Sequence, residues 1–201
     1  MADWQSPCGR GINGTHMEKH LNAIRTHLSK PIVLVGLMGA GKTKIGGFMA
    51  RKLDIPFVDA DAEIETAAGR SIADIFEEQG EAAFRDLERR VIARLLSDEI
   101  KVIAPGGGAM MNEQTAALIK SASLSVWLKA DLDILVERTG RTNKRPLLRD
   151  GDPREILQAL MDKRYPVYAQ ADLTVESLAL DAEQNAERVL SALADHLEKA
   201  K

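Results

Sequence analysis

The chain has 201 residues, 45% hydrophobic and 28% charged, which is enough to bury a sizeable core and an ordinary balance for a globular protein. Its formal net charge of −3 excludes a global basic field for nucleic acid or an anionic membrane, so any cation that matters must act locally. No apolar run approaches the roughly 18 residues of a membrane span, and the single cysteine, Cys8, leaves no intrachain disulfide or multi-cysteine zinc site.

Residues 1–17 carry Pro7, Gly9, Gly11 and Gly14 with little hydrophobic periodicity. They read as a poorly ordered tail in which Cys8 is idle, and they lack the charged-then-apolar order of a secretory signal. The expected location is cytoplasmic. Glu18 to Leu28 places Leu21, Ile24 and Leu28 at helical spacing, which predicts one short helix. Residues 1–30 are therefore expected to form an N-terminal extension, tail plus helix, to a single domain over 31–201. From Pro31 short β-rich runs alternate with helical stretches. The predicted strands are 31–36, 56–59, 101–105, 124–128 and 172–176, the last of them weak. The predicted helices are 42–53, 60–67, 72–78, 81–97, 112–120, 131–138, 153–169 and 182–198. Strands separated by helices predict an α/β fold, a three-layer α/β/α arrangement around a parallel sheet. In such sheets ligands sit at the carboxyl ends of the strands. Here Gly36 follows the first strand, Asp59 and Asp61 end the second, and Gly106 to Gly108 follow the third.

Residues 36–43 read Gly-Leu-Met-Gly-Ala-Gly-Lys-Thr and fit the pattern G-x-x-x-x-G-K-[ST]. A strand precedes them and a helix follows, which is the context of a phosphate-binding loop. Gly36, Gly39 and Gly41 let successive backbone N–H groups turn towards one anion, and the helix N-terminus adds partial positive charge. Lys42 can reach the β- and γ-phosphates, and the Thr43 hydroxyl can hold Mg²⁺. These residues predict a site for a nucleoside triphosphate with its metal.

A phosphate loop does not name the acceptor. Asp59-Ala60-Asp61 offers two carboxylates, one suited to the water shell of Mg²⁺ and one to a substrate hydroxyl, but Asp61 is equally suited to cap the next helix. Arg85, between Phe84 and Leu87, can hold a carboxylate in two parallel bonds, or can belong to a solvated face with Glu81 and Glu88. In that helix Ala82, Leu87, Val91 and Leu95 fit a buried stripe. Gly106-Gly107-Gly108 offers close backbone approach, or only a flexible turn. From Arg138 to Arg149 five basic residues fall in twelve, between glycines and prolines. That suits a mobile lid over polyphosphate, or a solvated basic loop. Arg164 can bind an anion or complement a helix dipole.

Taken together these motifs resemble the shikimate kinase family, within the nucleoside-monophosphate-kinase-like group of P-loop kinases. The resemblance spans roughly residues 31–195. It rests on the loop at 36–43, D-A-D at 59–61, G-R-S-I-A-D-I-F at 69–76, F-R-D-L-E at 84–88, G-G-G-A at 106–109, R-T at 138–139, R-P-L-L at 145–148 and R-Y-P-V-Y at 164–168. It implies a P-loop kinase fold with a five-stranded parallel sheet in the order 2-3-1-4-5 and a lid over about 140–152. It also implies transfer of the ATP γ-phosphate to the 3-hydroxyl of shikimate, on the route to chorismate and the aromatic amino acids. The resemblance assigns ATP to Gly39, Ala40, Gly41, Lys42, Thr43, Lys44, Arg138 and Arg145. It assigns shikimate to Asp61, Arg85, Gly106, Gly107, Gly108 and Arg164. Lys42, Asp61 and Arg145 become the catalytic set, and Thr43 with Asp59 the Mg²⁺ partners. The expected partners are the small molecules shikimate and ATP, without nucleic acid or membrane, and the expected state is a monomer.

Two rivals remain at this level. A gluconate kinase of the same group would keep the loop and change the acceptor set. A nucleotide-dependent switch would need no acceptor. A guanine-specific switch carries N-K-x-D, whereas Asn143-Lys144 is followed by Arg145-Pro146.

Overall fold

The computed structural model describes residues 12–140 and 151–199, the side chains of 12–15 excepted. Five parallel strands form one sheet: β1 (Ile32–Val35), β2 (Phe57–Asp59), β3 (Val102–Ala104), β4 (Leu124–Lys129) and β5 (Leu173–Glu176). Their order is β2-β3-β1-β4-β5, as expected. β1 lies in the centre, with Ile32 opposite Val102 on one side and Leu124 on the other. All four of its residues are buried, which is what a strand covered on both faces requires of its sequence.

The helices are α1 (Ile12–His27), α2 (Lys42–Leu53), α3 (Ala60–Ala68), α4 (Ile72–Ser97), α5 (Glu113–Ala122), α6 (Leu132–Gly140), α7 (Pro153–Tyr168) and α8 (Ala182–Lys199). They cover both faces of the sheet. The core joins the strands to Met49 of α2, Ile64 of α3, Ile92 of α4, Ile119 of α5 and Leu190 of α8. Because β1, β2 and β3 run parallel, Gly36, Asp59 and Gly106 emerge at one edge of the sheet.

Two expectations need correction. The first helix begins at Ile12, not Glu18, so the loose tail was drawn too long. Met17 already packs against the core, ahead of buried Leu21 and Ile24, and α1 lies along α8. Residues 1–11, with Cys8, lie outside the described residues. The second concerns α4, which is broken at Gly80 (φ 79°, ψ 174°) into the two helical pieces expected. Its buried stripe, however, is Phe84, Glu88, Val91, Ile92, Leu95 and Leu96, and Ala82 is exposed. The buried Phe84 ring packs 4.6 Å from Phe76 across the break.

Candidate active site

The loop at 36–43 leaves β1 and enters α2 through Gly41, whose φ of +96° a side chain would strain. Gly39 has φ +86°, and a Cβ there would stand 3.1 Å from Thr139 Cγ2 and 3.3 Å from Leu135 O, so the loop passes close against α6. Ala40 is buried and Lys44 is exposed on the first turn of α2. The Lys42 ammonium folds into the mouth of the loop, donating to Gly36 O at 2.8 Å and Leu37 O at 3.2 Å. The Thr43 hydroxyl donates to Asp59 Oδ2 at 3.0 Å. A hydroxyl and a carboxylate side by side form a hard oxygen pair that suits Mg²⁺. That ion is usually held by one or two protein oxygens, with waters and substrate phosphates completing the shell. No cluster of three or more His, Cys, Asp or Glu side chains arranged for a metal exists among the described residues.

The capping question is resolved at Asp59. Its Oδ1 accepts the Asp61 N–H at 3.1 Å and so caps α3. Asp61 is thereby left to face the glycine turn after β3. Three close approaches define that turn. A Cβ on Gly106 would fall 2.8 Å from Asp61 Oδ1, one on Gly107 would fall 3.3 Å from Arg164 Nη1, and one on Gly108 would fall 2.6 Å from Arg85 Nη2. The same Gly107 position is 3.4 Å from Gly36 O, inside the phosphate loop. Residues 61, 85 and 164, distant in the chain, therefore converge on three consecutive peptides beside the anion cradle.

The charges in this cleft perturb one another. Burial raises the Asp61 pKa above 3.8, the neighbouring Asp59 carboxylate adds to the rise, and Lys42 and Arg85 oppose it. Arg85 donates to Glu88 Oε2 at 2.7 Å and meets Glu81 at 3.3 Å. Burial works against the Arg85 charge, yet the two carboxylates hold its pKa above the ordinary value. Glu88 is 1% exposed, and burial raises its pKa against the pull of Arg85. The helix face read as solvated is thus half inside, because Glu88 occupies the stripe. Sequence offered one signal for this, the apolar spacing Phe84, Val91, Leu95, into which position 88 falls.

Arg164 Nε is buried without a hydrogen-bond partner. Such an atom is costly unless an acceptor meets it, and it lies beside a turn suited to one. Tyr168, fully buried on the same helix face, donates its hydroxyl to Gly107 O. The sequence reading gave Tyr168 no role.

Arg138 donates to Ser177 Oγ at 2.9 Å, to Gly39 O at 3.4 Å and to Leu178 O. Ser177 in turn donates to Ala40 O at 2.9 Å. These bonds tie the phosphate loop to the segment between β5 and α8, which the Asn185 side chain also holds. Ser177 and Asn185 were not predicted. Arg145 and most of the expected lid lie outside the described residues. A separate groove of about 1020 Å³ runs between α1, β5 and α8, and none of its lining residues belongs to this cleft.

Comparison with known proteins agrees with this geometry. The family model described as shikimate kinase matches residues 38–194. A shikimate kinase from Brucella canis is 52% identical over 186 residues, covering 92% of this chain and 93% of its own. The solved shikimate kinase from Acinetobacter baumannii in complex with shikimate is 34% identical with a TM-score of 0.81, over 89% of this chain and 99% of its own. A gluconokinase from Sinorhizobium meliloti, 19% identical with a TM-score of 0.57 over 85% of this chain and 94% of its own, shares the fold alone. With a glycine loop and a turn lined by Asp61, Arg85 and Arg164 built on this sheet, and with these matches spanning most of the chain, the chain belongs to the shikimate kinase family.

Proposed function

We propose that the three glycine peptides at 106–108 form the floor of a shikimate pocket, with Asp61, Arg85 and Arg164 as its walls. Members of the family carry out ATP-dependent phosphorylation of shikimate in aromatic biosynthesis, and this chain is such an enzyme. The observation that carries the residue assignment is the convergence of those side chains on Gly106 to Gly108, beside Gly36 of the phosphate loop.

Shikimate is a small polyhydroxylated ring with one carboxylate. It needs cations for the carboxylate and acceptors with backbone groups for the hydroxyls. Arg164, with its unpartnered Nε, and Arg85 supply the first. Asp61 and the turn supply the second. In our reading Asp61 accepts a hydrogen bond from the 3-hydroxyl, orients it towards the γ-phosphate and takes its proton as the phosphoryl group moves. A carboxylate whose pKa is raised is a better base for that proton. Lys42 leaves its loop carbonyls for the phosphate oxygens, and Thr43 with Asp59 would hold Mg²⁺. When bound, that ion would supply charge neutralisation to the transferring phosphate. Gly39, Ala40, Gly41 and Lys44 frame the triphosphate, and Arg138 lines the base side. No nucleophilic side chain is required, since phosphoryl transfer asks for positioning and charge stabilisation. A monomer working in the cytoplasm is the simplest setting for this chemistry.

A coupled assay of ADP release, run with shikimate and with gluconate, tests the reading. Turnover is expected with shikimate. Turnover with gluconate alone rejects it.

A further inference from the structure

Tyr168 is buried completely at the last turn of α7, four residues after Arg164, so the two side chains leave one helix face together. The hydroxyl donates to Gly107 O, and a Cβ on Gly107 would stand 3.7 Å from that hydroxyl and 3.3 Å from Arg164 Nη1. The ring is held from behind by Trp127, whose centroid lies 6.2 Å away in an edge-to-face arrangement. The Gly107 peptide has no side chain of its own to fix its plane, and glycine resists rotation poorly. Its neighbours on either side are the peptides that face Asp61 and Arg85. Rotation there would redirect the turn's N–H groups and the space left for both guanidinium groups.

We propose that Tyr168 is a positioning residue for the acceptor, fixing the Gly107 peptide plane so that the glycine turn meets the substrate hydroxyls while Arg164 meets its carboxylate. Burial raises the tyrosine pKa, with the Arg164 guanidinium opposing it, so the hydroxyl stays protonated and donating through the neutral range. The inference rests on the shikimate-pocket reading above.

The test compares Tyr168→Phe, Arg164→Ala and Tyr165→Phe. Phenylalanine keeps the packing against Trp127 and removes the hydroxyl, which takes its donor from the part-buried Gly107 carbonyl and its oxygen from beside the Arg164 guanidinium. A loss of that kind corresponds to roughly a 5- to 30-fold change in an equilibrium constant. Tyr168→Phe is expected to raise the shikimate KM by about that factor, with the ATP KM within about twofold of the parent. Tyr165 donates to Ala130 O in the same aromatic cluster, and its phenylalanine variant is expected to leave both KM values unchanged. A purely structural hydroxyl would lower Tm and leave the shikimate KM of the folded protein where it was, and that result overturns the proposal. Equal rises in both KM values overturn it too. Arg164→Ala separates the two levels. If it leaves shikimate binding by calorimetry unchanged, the pocket reading fails. If it weakens binding while Tyr168→Phe does not, only the role of Tyr168 fails.

Discussion

Asp59 and Asp61 stand two residues apart, and the backbone gives them different work. One caps α3 and receives Thr43, while the other turns to the glycine floor. Asp61→Asn is expected to lower kcat by about 10²- to 10⁴-fold, with ATP binding retained. An unchanged rate in steady-state assays would leave Asp61 without a chemical role. The same substitution is expected to raise Tm at pH 7. Since the folded protein binds the Asp61 proton more tightly than the unfolded chain, this group's contribution to stability falls as pH rises from 3.8 through its raised folded pKa. At neutral pH the ionised carboxylate is a net cost that an amide does not carry, and paired thermal melts of the two proteins check the sign. For the parent enzyme the acid limb of kcat/KM should have its midpoint above 3.8, which a pH–rate profile measures directly. Lys42→Ala should reduce kcat by roughly 10³-fold or more, by the weight that phosphate-facing cations carry in this chemistry. A near-normal kcat would remove Lys42 from the mechanism.

Among the elements, the turn after β3 is the joint on which the cleft depends. Gly108 has an ordinary φ of −91°, so alanine suits its backbone, yet the added methyl would meet Arg85 Nη2 at 2.6 Å. Gly108→Ala should therefore push the guanidinium aside while leaving its charge beside Glu88, so the loss of stability is expected to be smaller than for Arg85→Ala. The shikimate KM is expected to rise about tenfold, the value of one charge-assisted bond, with the ATP KM unchanged. This variant is cleaner than Arg85→Ala, which would strand the buried Glu88 carboxylate and mix an unfolding penalty of about 3–5 kcal/mol with the binding effect. The phosphate loop and the alternation of strands and helices were legible because both are local patterns. Asp61, Arg85 and Arg164 were chemically suggestive but undecided, since cap, solvated pair and dipole partner fit the same letters. Only the family resemblance raised them, and their meeting at Gly106 to Gly108 is a contact between distant parts of the chain. Glu88 reads in sequence as part of a solvated pair because a Glu three residues after an Arg looks alike on a wet or a dry helix face. Tyr168 was passed over because its partner is a backbone carbonyl, which leaves no mark in sequence.

At the scale of the molecule, α1 lies ahead of the segment that the family model matches, yet it is built into the core. Leu21 and Ile24 are buried, and the Arg25 guanidinium donates to Lys52 O at 2.7 Å and Leu53 O at 3.4 Å, closing the carboxyl end of α2. Removing residues 1–28 should cost roughly 3–6 kcal/mol, the burial of two large aliphatic side chains. Urea denaturation would show the loss as a lower midpoint, and an unchanged midpoint would make α1 an ornament. A broader consequence follows from the pairing of Arg85 with Glu81 and Glu88. Among the described residues the cleft sets Lys42, Arg85 and Arg164 against Asp61, Glu81 and Glu88, so its attraction for anions is directional without being greedy. In the proposed pocket a monoanionic ring would be held through well-aimed bonds, whereas the more highly charged product would meet the Asp61, Glu81 and Glu88 carboxylates once ADP withdraws. On the proposed pocket, the side chains that hold the ring also favour departure of its phosphorylated form.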